Sequence, residues 1–348
     1  MNTNNLTYFI TANSCYGYSS FFPSLLKQCQ RHILFENSSE TFRSDLFNNI
    51  IGFCKNNNIF YHQIMQAGYS EKLCGMYFPN SSALVFCIPF FKNVPNGFSA
   101  TIVCPKLTFA DAEKISSLQS ESERLKEDMY SHLASAKKIH DDWEKIYISN
   151  MDFSKADNAS NDFIYDIFKN HDTGKPGINC DRFFGSMLSN GSVNYIDNIT
   201  AGLEKRVFIK GRPGTGKSTF LKKIRSAALE RGFDTETYYC SFDPHSLDMV
   251  VVRDLSLCVF DSTSPHEMFP SKETDSIFDI YEIAVTPGTD EKYSHALESI
   301  KVGYDIEMAK AKKLLSGILS IHQQADNIYS KYSVSADDLI RSAMTNIL

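Results

Sequence analysis

Short apolar runs alternate with amphipathic stretches along most of this chain, and the alternation occurs twice. In the first half, His32–Glu36 predicts a strand and Arg43–Cys54 a helix; Ile59–Ile64, Ala83–Cys87 and a segment ending at Pro105 predict further strands. In the second half, a strand over Arg206–Lys210 and a helix over Lys217–Glu230 are followed by strands over Thr235–Ser241 and Leu257–Asp261 and one ending at Pro287. Strands interleaved with helices predict a parallel sheet covered on both faces. Each block closes with a long polar helical stretch, about Phe109–Tyr147 and Asp290–Tyr332. Ile139 and Ile146 are seven apart, as are Ile321 and Ile328, so both helices offer a seam to a partner helix.

The two blocks are related in sequence. Phe9 falls on Phe183, Gly17 on Gly191, Thr41 on Thr215, Ser44 on Ser218, Leu73 on Leu247 and Phe86 on Phe260, always 174 positions apart. Further on the offset becomes 182, matching Ile139 to Ile321, His140 to His322 and Tyr147 to Tyr329. Two offsets held this long read as an internal duplication. The expected fold is therefore α/β: two tandem repeats, each a parallel sheet flanked by helices and followed by a long helical segment. The expected divisions are residues 1–155, a linker over 156–180 and residues 181–348, with Ala156–Asn161 and Asn170–Gly177 as polar linker around a short helix.

Composition changes this picture little. The 348 residues are 43% hydrophobic and 22% charged, an ordinary globular balance. A net charge of −6 gives no indication of nucleic acid as a partner. No apolar run approaches the roughly 20 residues that span a bilayer, and the polar start, Met1–Thr7, is a poor secretory signal. Nine scattered cysteines without a Cys-x-x-Cys pair predict reduced thiols in a cytoplasmic protein.

The candidate chemistry lies in Gly211-Arg212-Pro213-Gly214-Thr215-Gly216-Lys217-Ser218, followed by Thr219. Glycines let a backbone wrap phosphate with its N–H groups inward, and a helix starting at Lys217 adds its positive end beneath the anion. Lys217 is expected to reach the β- and γ-phosphates of ATP or GTP, and the Ser218 hydroxyl to ligate Mg²⁺. The run Leu257-Cys258-Val259-Phe260-Asp261 places a carboxylate at the end of a buried strand, where Asp261 is expected to hold the Mg²⁺. Ser262 follows it, where many P-loop ATPases carry a water-activating Glu. Asp243, just after the second strand, is the candidate base or substrate-orienting group, with Asp248 nearby. Ser262–Asp275 reads as a lid or substrate loop, and Arg212 and Arg253 as candidate phosphate contacts.

At the 174 offset the first half has Asn37, Glu40 and Phe42 in place of the three glycines, and Arg43 in place of Lys217. Cys87 and Cys74 replace Asp261 and Asp248, and Glu40 is expected to put a carboxylate where phosphate would lie. This half reads as a folded relic that supports or pairs with the active one. One nucleotide per chain is expected.

The stretch Phe208–Thr219, together with Cys240–Val250, Phe260–His266, Ile139–Glu144 and Met151–Lys155, resembles the tandem P-loop ATPase-like proteins of Gram-positive spore-forming bacteria. That resemblance implies ATP binding and a bacterial cytoplasmic setting, and it supplies no substrate. Members of that family keep a glycine-rich first loop, which this chain lacks. The expected activity is hydrolysis of ATP or transfer of its γ-phosphate to an acceptor, using Lys217, Asp261 and Asp243. A nucleotide-gated switch with negligible turnover is the alternative. The repeated His140 and His322 are expected to pack between helices.

Overall fold

The computed structural model describes residues 5–36, 38–88, 106–169 and 171–332; Asn37, Pro105 and Asn170 lie outside them. The first half runs β1 (Thr7–Tyr8), β2 (Thr11–Ser14), β3 (Gly17–Ser20), α1 (Phe22–Leu26), β4 (Arg31–Phe35), α2 (Glu40–Asn56), β5 (His62–Met65), β6 (Leu73–Phe78) and β7 (Ala83–Cys87). The long helix α3 (Phe109–Ile148) and then α4 (Phe153–Phe168) follow. The second half runs β8 (Asn179–Phe183), β9 (Gly185–Leu188), β10 (Gly191–Asn194), α5 (Ile196–Thr200), β11 (Lys205–Lys210), α6 (Lys217–Glu230), β12 (Thr235–Tyr239), β13 (Leu247–Val252) and β14 (Leu257–Asp261). It ends with β15 (Ser276–Asp279), α7 (Ile280–Ala284), α8 (Thr289–Lys292) and the second long helix, α9 (Ser294–Tyr329).

The chain is an α/β protein, but its sheets are mixed rather than parallel. The larger sheets have the orders β1-β5-β6-β7-β4 and β15-β11-β14-β13-β12-β8, and β2-β3 and β9-β10 pair as two-stranded sheets. In each larger sheet, one strand absent from the sequence reading, β6 or β13, runs antiparallel to both neighbours. The cause is local. Four residues join β13 to β14, with Ser256 left-handed at φ 49°, and the matching turn has Ser82 at φ 48°. A parallel return needs a crossover of a dozen residues or more, so a link this short makes the pair antiparallel. Apolar side chains on both faces of Leu247–Val252 bury every residue of β13 and hide the alternation that marks a strand.

Two other expectations change. The segment before Pro287 is not a strand: β15 lies earlier, parallel to β11, and leads into α7. Ala156–Asn161 is not linker but part of α4, which packs on α6 through Phe163 and Phe220, their ring centroids 5.2 Å apart.

The halves are joined at equivalent places. Phe9 and Phe183 form an antiparallel bridge, and one apolar core runs across it, with Tyr8, Ile64 and Phe86 meeting Phe184, Tyr238 and Phe260. The seams of the long helices face each other. Helices α3 and α9 pack antiparallel, burying Met129 and Leu133 with Ala311, Leu315 and Ile318. His132 Nδ1 lies 2.6 Å from Glu307 Oε2, and the Tyr332 hydroxyl donates to Asp111 at 2.7 Å. Among the described residues no helix is long and apolar enough to cross a membrane, and the eight cysteines are free thiols.

Candidate functional site

The loop between β11 and α6 holds the predicted residues. Gly214 and Gly216 take φ of 80° and 88°, left-handed values that a side chain would strain. Gly216 is the N-cap of α6, without a side-chain cap and with no acidic residue in the first turn. The N–H of Phe220 is the first to find an intrahelical carbonyl, that of Gly216. The N–H groups of Lys217, Ser218 and Thr219 therefore begin the helix without intrahelical partners, the arrangement that attracts an anion. The buried Thr215 hydroxyl donates to the Arg212 carbonyl at 2.8 Å and braces the turn.

Lys217 Nζ reaches back along the loop, donating to the Arg212 carbonyl at 2.9 Å and standing 3.6 Å from Asp261. Asp261 ends β14 opposite Ile209 of β11, and accepts from the Thr263 hydroxyl at 2.6 Å. Ser218 Oγ accepts from the Leu247 N–H at 2.9 Å, which ties α6 to the start of β13. Because β13 runs antiparallel, it brings Asp248 to this edge of the sheet. Burial pushes the Asp248 carboxyl well above the usual carboxylate range, and the Asp261 charge adds to the rise. Ser218 and Asp261 offer hard oxygen donors of the kind that a divalent cation such as Mg²⁺ takes.

Other predicted residues sit elsewhere. Arg212 turns aside and pairs with Asp290, Nη2 to Oδ2 3.0 Å, over the Tyr281 ring. Thr219 lines a shallow groove on the α4 side of the helix with Asn161 and Lys222. Arg253 is not at the loop. The antiparallel course of β13 carries it to the opposite edge, where it pairs with Glu236 at 2.7 Å. The segment after Asp261 does not hang over the site as a lid. Ser262 is fastened to Met268 in both directions, and Asp275 takes Arg206, at the other end of β11, through two bonds of 2.9 and 2.6 Å. A strand parallel to β11 has to begin at that far end, so this segment is the crossover leading to β15.

The first half contributes residues that sequence reading missed. Near its C-terminal end α3 lies directly on the loop: a Cβ on Gly214 would stand 2.6 Å from the Glu144 carbonyl oxygen. The Tyr147 hydroxyl donates to Asp290, the partner of Arg212, and locks that contact. Lys137 joins Asp141 to Asp243, 3.4 Å from Asp243 Oδ2, while Asp243 Oδ1 accepts the His245 N–H. His140 packs against Trp143, Phe242 and Tyr304, as expected of a histidine between helices, and stands 3.6 Å from Glu144 Oε1. His140, Asp141 and Glu144 bring three metal-type donors within 4.8 Å of one another, but Lys137 already neutralises Asp141.

The degenerate loop differs in an unexpected way. Glu40 does not lie where phosphate would; it turns out to Lys72 at 2.5 Å. The carboxylate at that helix start is Asp326 of α9, which accepts the Glu40 N–H, while Ser39 caps the Phe42 N–H at 3.2 Å. Phe42 is buried against Phe35.

Fold and loop together define an α/β protein with a candidate anion site at one uncapped helix N-terminus. Compared with family models, curated proteins and solved structures, the chain matches none.

Proposed function

We propose that the loop Gly211–Ser218 binds ATP with Mg²⁺, and that the chain hydrolyses it or transfers its γ-phosphoryl group to an acceptor. One observation carries this reading: two left-handed glycines lead into an uncapped helix whose first residue, Lys217, faces Asp261 on the adjacent strand. Phosphate would complete the open N–H groups, and Lys217 would exchange its loop contacts for the β- and γ-oxygens. Ser218 and Asp261 would hold Mg²⁺, which when bound neutralises charge on the β- and γ-phosphates. Asp243 then serves as an orienting group, acting through Lys137.

The matching of β1–β7 to β8–β14 at a constant 174 positions supports the reading of two tandem repeats, which the loop Gly211–Ser218 makes P-loop NTPase-like in our reading. Free thiols accord with a reducing, cytoplasmic setting. The packing of Glu144 on Gly214 favours a second reading, a nucleotide-gated switch in which ATP moves α3. Incubation with γ-labelled ATP, alone and with pooled metabolites, tests both. Label in phosphate or in an acceptor supports the enzyme; label retained on tightly bound ATP supports the switch; no bound nucleotide refutes both.

A further inference from the structure

Each long helix crosses to the loop of the other half. Glu144 on α3 and Asp326 on α9 occupy equivalent positions, 182 apart, and the loop residues they meet, Gly214 and Glu40, are 174 apart. At the degenerate loop Asp326 accepts the backbone N–H of Glu40. A carboxylate at this position thus has the reach to touch the first turn of a phosphate-loop helix. At the intact loop Glu144 holds that position: its backbone packs on Gly214, and the Lys217 charge acts on its carboxyl.

Its surroundings suit a base. The side chain is 33% exposed, open to a water, and His140 Nδ1 lies 3.6 Å from it. Burial raises the Glu144 carboxyl, Asp141 and Asp243 push the same way, and Lys137 and Lys217 oppose. The second half offers little else. Ser262 replaces the acidic residue after Asp261 and is bonded to Met268, both Asp243 oxygens are engaged, and Asp248 is buried.

We propose that Glu144, from the half that lost its own phosphate loop, is the general base for hydrolysis at the loop of the other half, with His140 as its positioning residue. The proposal rests on the nucleotide reading above. Water oxygen bonds to the γ-phosphorus as its proton passes to the Glu144 carboxylate. The bond from that phosphorus to the β–γ bridging oxygen breaks, and its electron pair leaves on the nucleoside diphosphate. The products are ADP and inorganic phosphate. Retention of the first half then has a chemical reason, since it carries the base.

The test uses the full chain, measuring MgATP binding by calorimetry and phosphate release separately. Glu144→Gln is expected to bind ATP within about threefold of wild type and to release phosphate at least about a hundredfold more slowly. Glu144→Asp, which keeps the carboxylate, is expected to fall between them. His140→Ala is expected to lower kcat without changing KM, and the double variant to be no slower than Glu144→Gln alone. Wild-type turnover in Glu144→Gln, or wild-type ATP binding without phosphate release, overturns the proposal. A multiplicative loss in the double variant overturns the role of His140. Failure of the wild type to bind ATP instead overturns the nucleotide reading beneath it.

Discussion

Phe9 and Phe183 exchange two backbone hydrogen bonds, Phe9 N–H to Phe183 O at 2.9 Å and the reverse at 2.8 Å, although they occupy the same position in the two halves. A bond exchanged between equivalent positions marks a local two-fold axis. The side chains follow it: Phe9 packs on Tyr195 and Phe183 on Phe21, residues that are themselves 174 apart. Both phenylalanines are fully buried, so Phe183→Ala is expected to cost about 3–5 kcal/mol in denaturant unfolding. Because the core is continuous across the axis, unfolding is expected as one transition monitored by either half. Two separated transitions would refute a shared core.

Lys217→Ala is expected to abolish ATP binding, whereas Arg43→Ala, in the loop that lacks the three glycines, should leave the affinity of the folded protein unchanged. Calorimetry on the wild type should give one nucleotide per chain. Equal losses in the two variants, or two bound nucleotides, would count against the asymmetry between the loops.

Gly214 carries two constraints at once, a φ of 80° and the Glu144 backbone against its Cα. Gly214→Ala is expected to cost at least about 1–3 kcal/mol and to displace α3 from the loop. ATP affinity should fall with it. If thermal unfolding and affinity both match wild type, the packing of α3 on this loop is wrong.

Asp326 caps α2 from a distant helix. Asp326→Ala is expected to cost about 0.5–2 kcal/mol by chemical denaturation, the range for losing an N-terminal cap, without creating a second ATP site. Asp326→Asn, which keeps the acceptor oxygen, should recover most of that loss.

His62 is buried between Tyr8, Tyr77 and Phe60 and faces Arg182, Arg253 and Glu236. Burial and the two arginines hold its pKa well below the ordinary value, with Glu236 opposing. The native residue therefore stays neutral at a pH where the unfolded one takes a proton. The unfolded state binds more protons, so stability is kept above about pH 6.5 and falls as pH drops, by at most about 1.4 kcal/mol per pH unit from this group. Denaturant midpoints measured from pH 8 to pH 5 should show a smaller acid loss in His62→Gln than in the wild type.

What depends on local chemistry could be read along the chain. The glycines, lysine and serine of residues 211–218, the helix start at Lys217, the strand ending at Asp261 and the repeated order of elements were all legible, because turn geometry and apolar periodicity act between near neighbours. Strands β6 and β13 were not, since burial on both faces erases the alternation that reveals a strand. Three-dimensional packing put Arg253 at the far edge of the sheet, made Asp275 the anchor of a crossover rather than of a lid, and brought Asp326 to the start of α2. It also laid the Glu144 backbone on Gly214, 70 residues along the chain. Contacts of that kind follow from how two halves pair about an axis, and no spacing within either half encodes the axis.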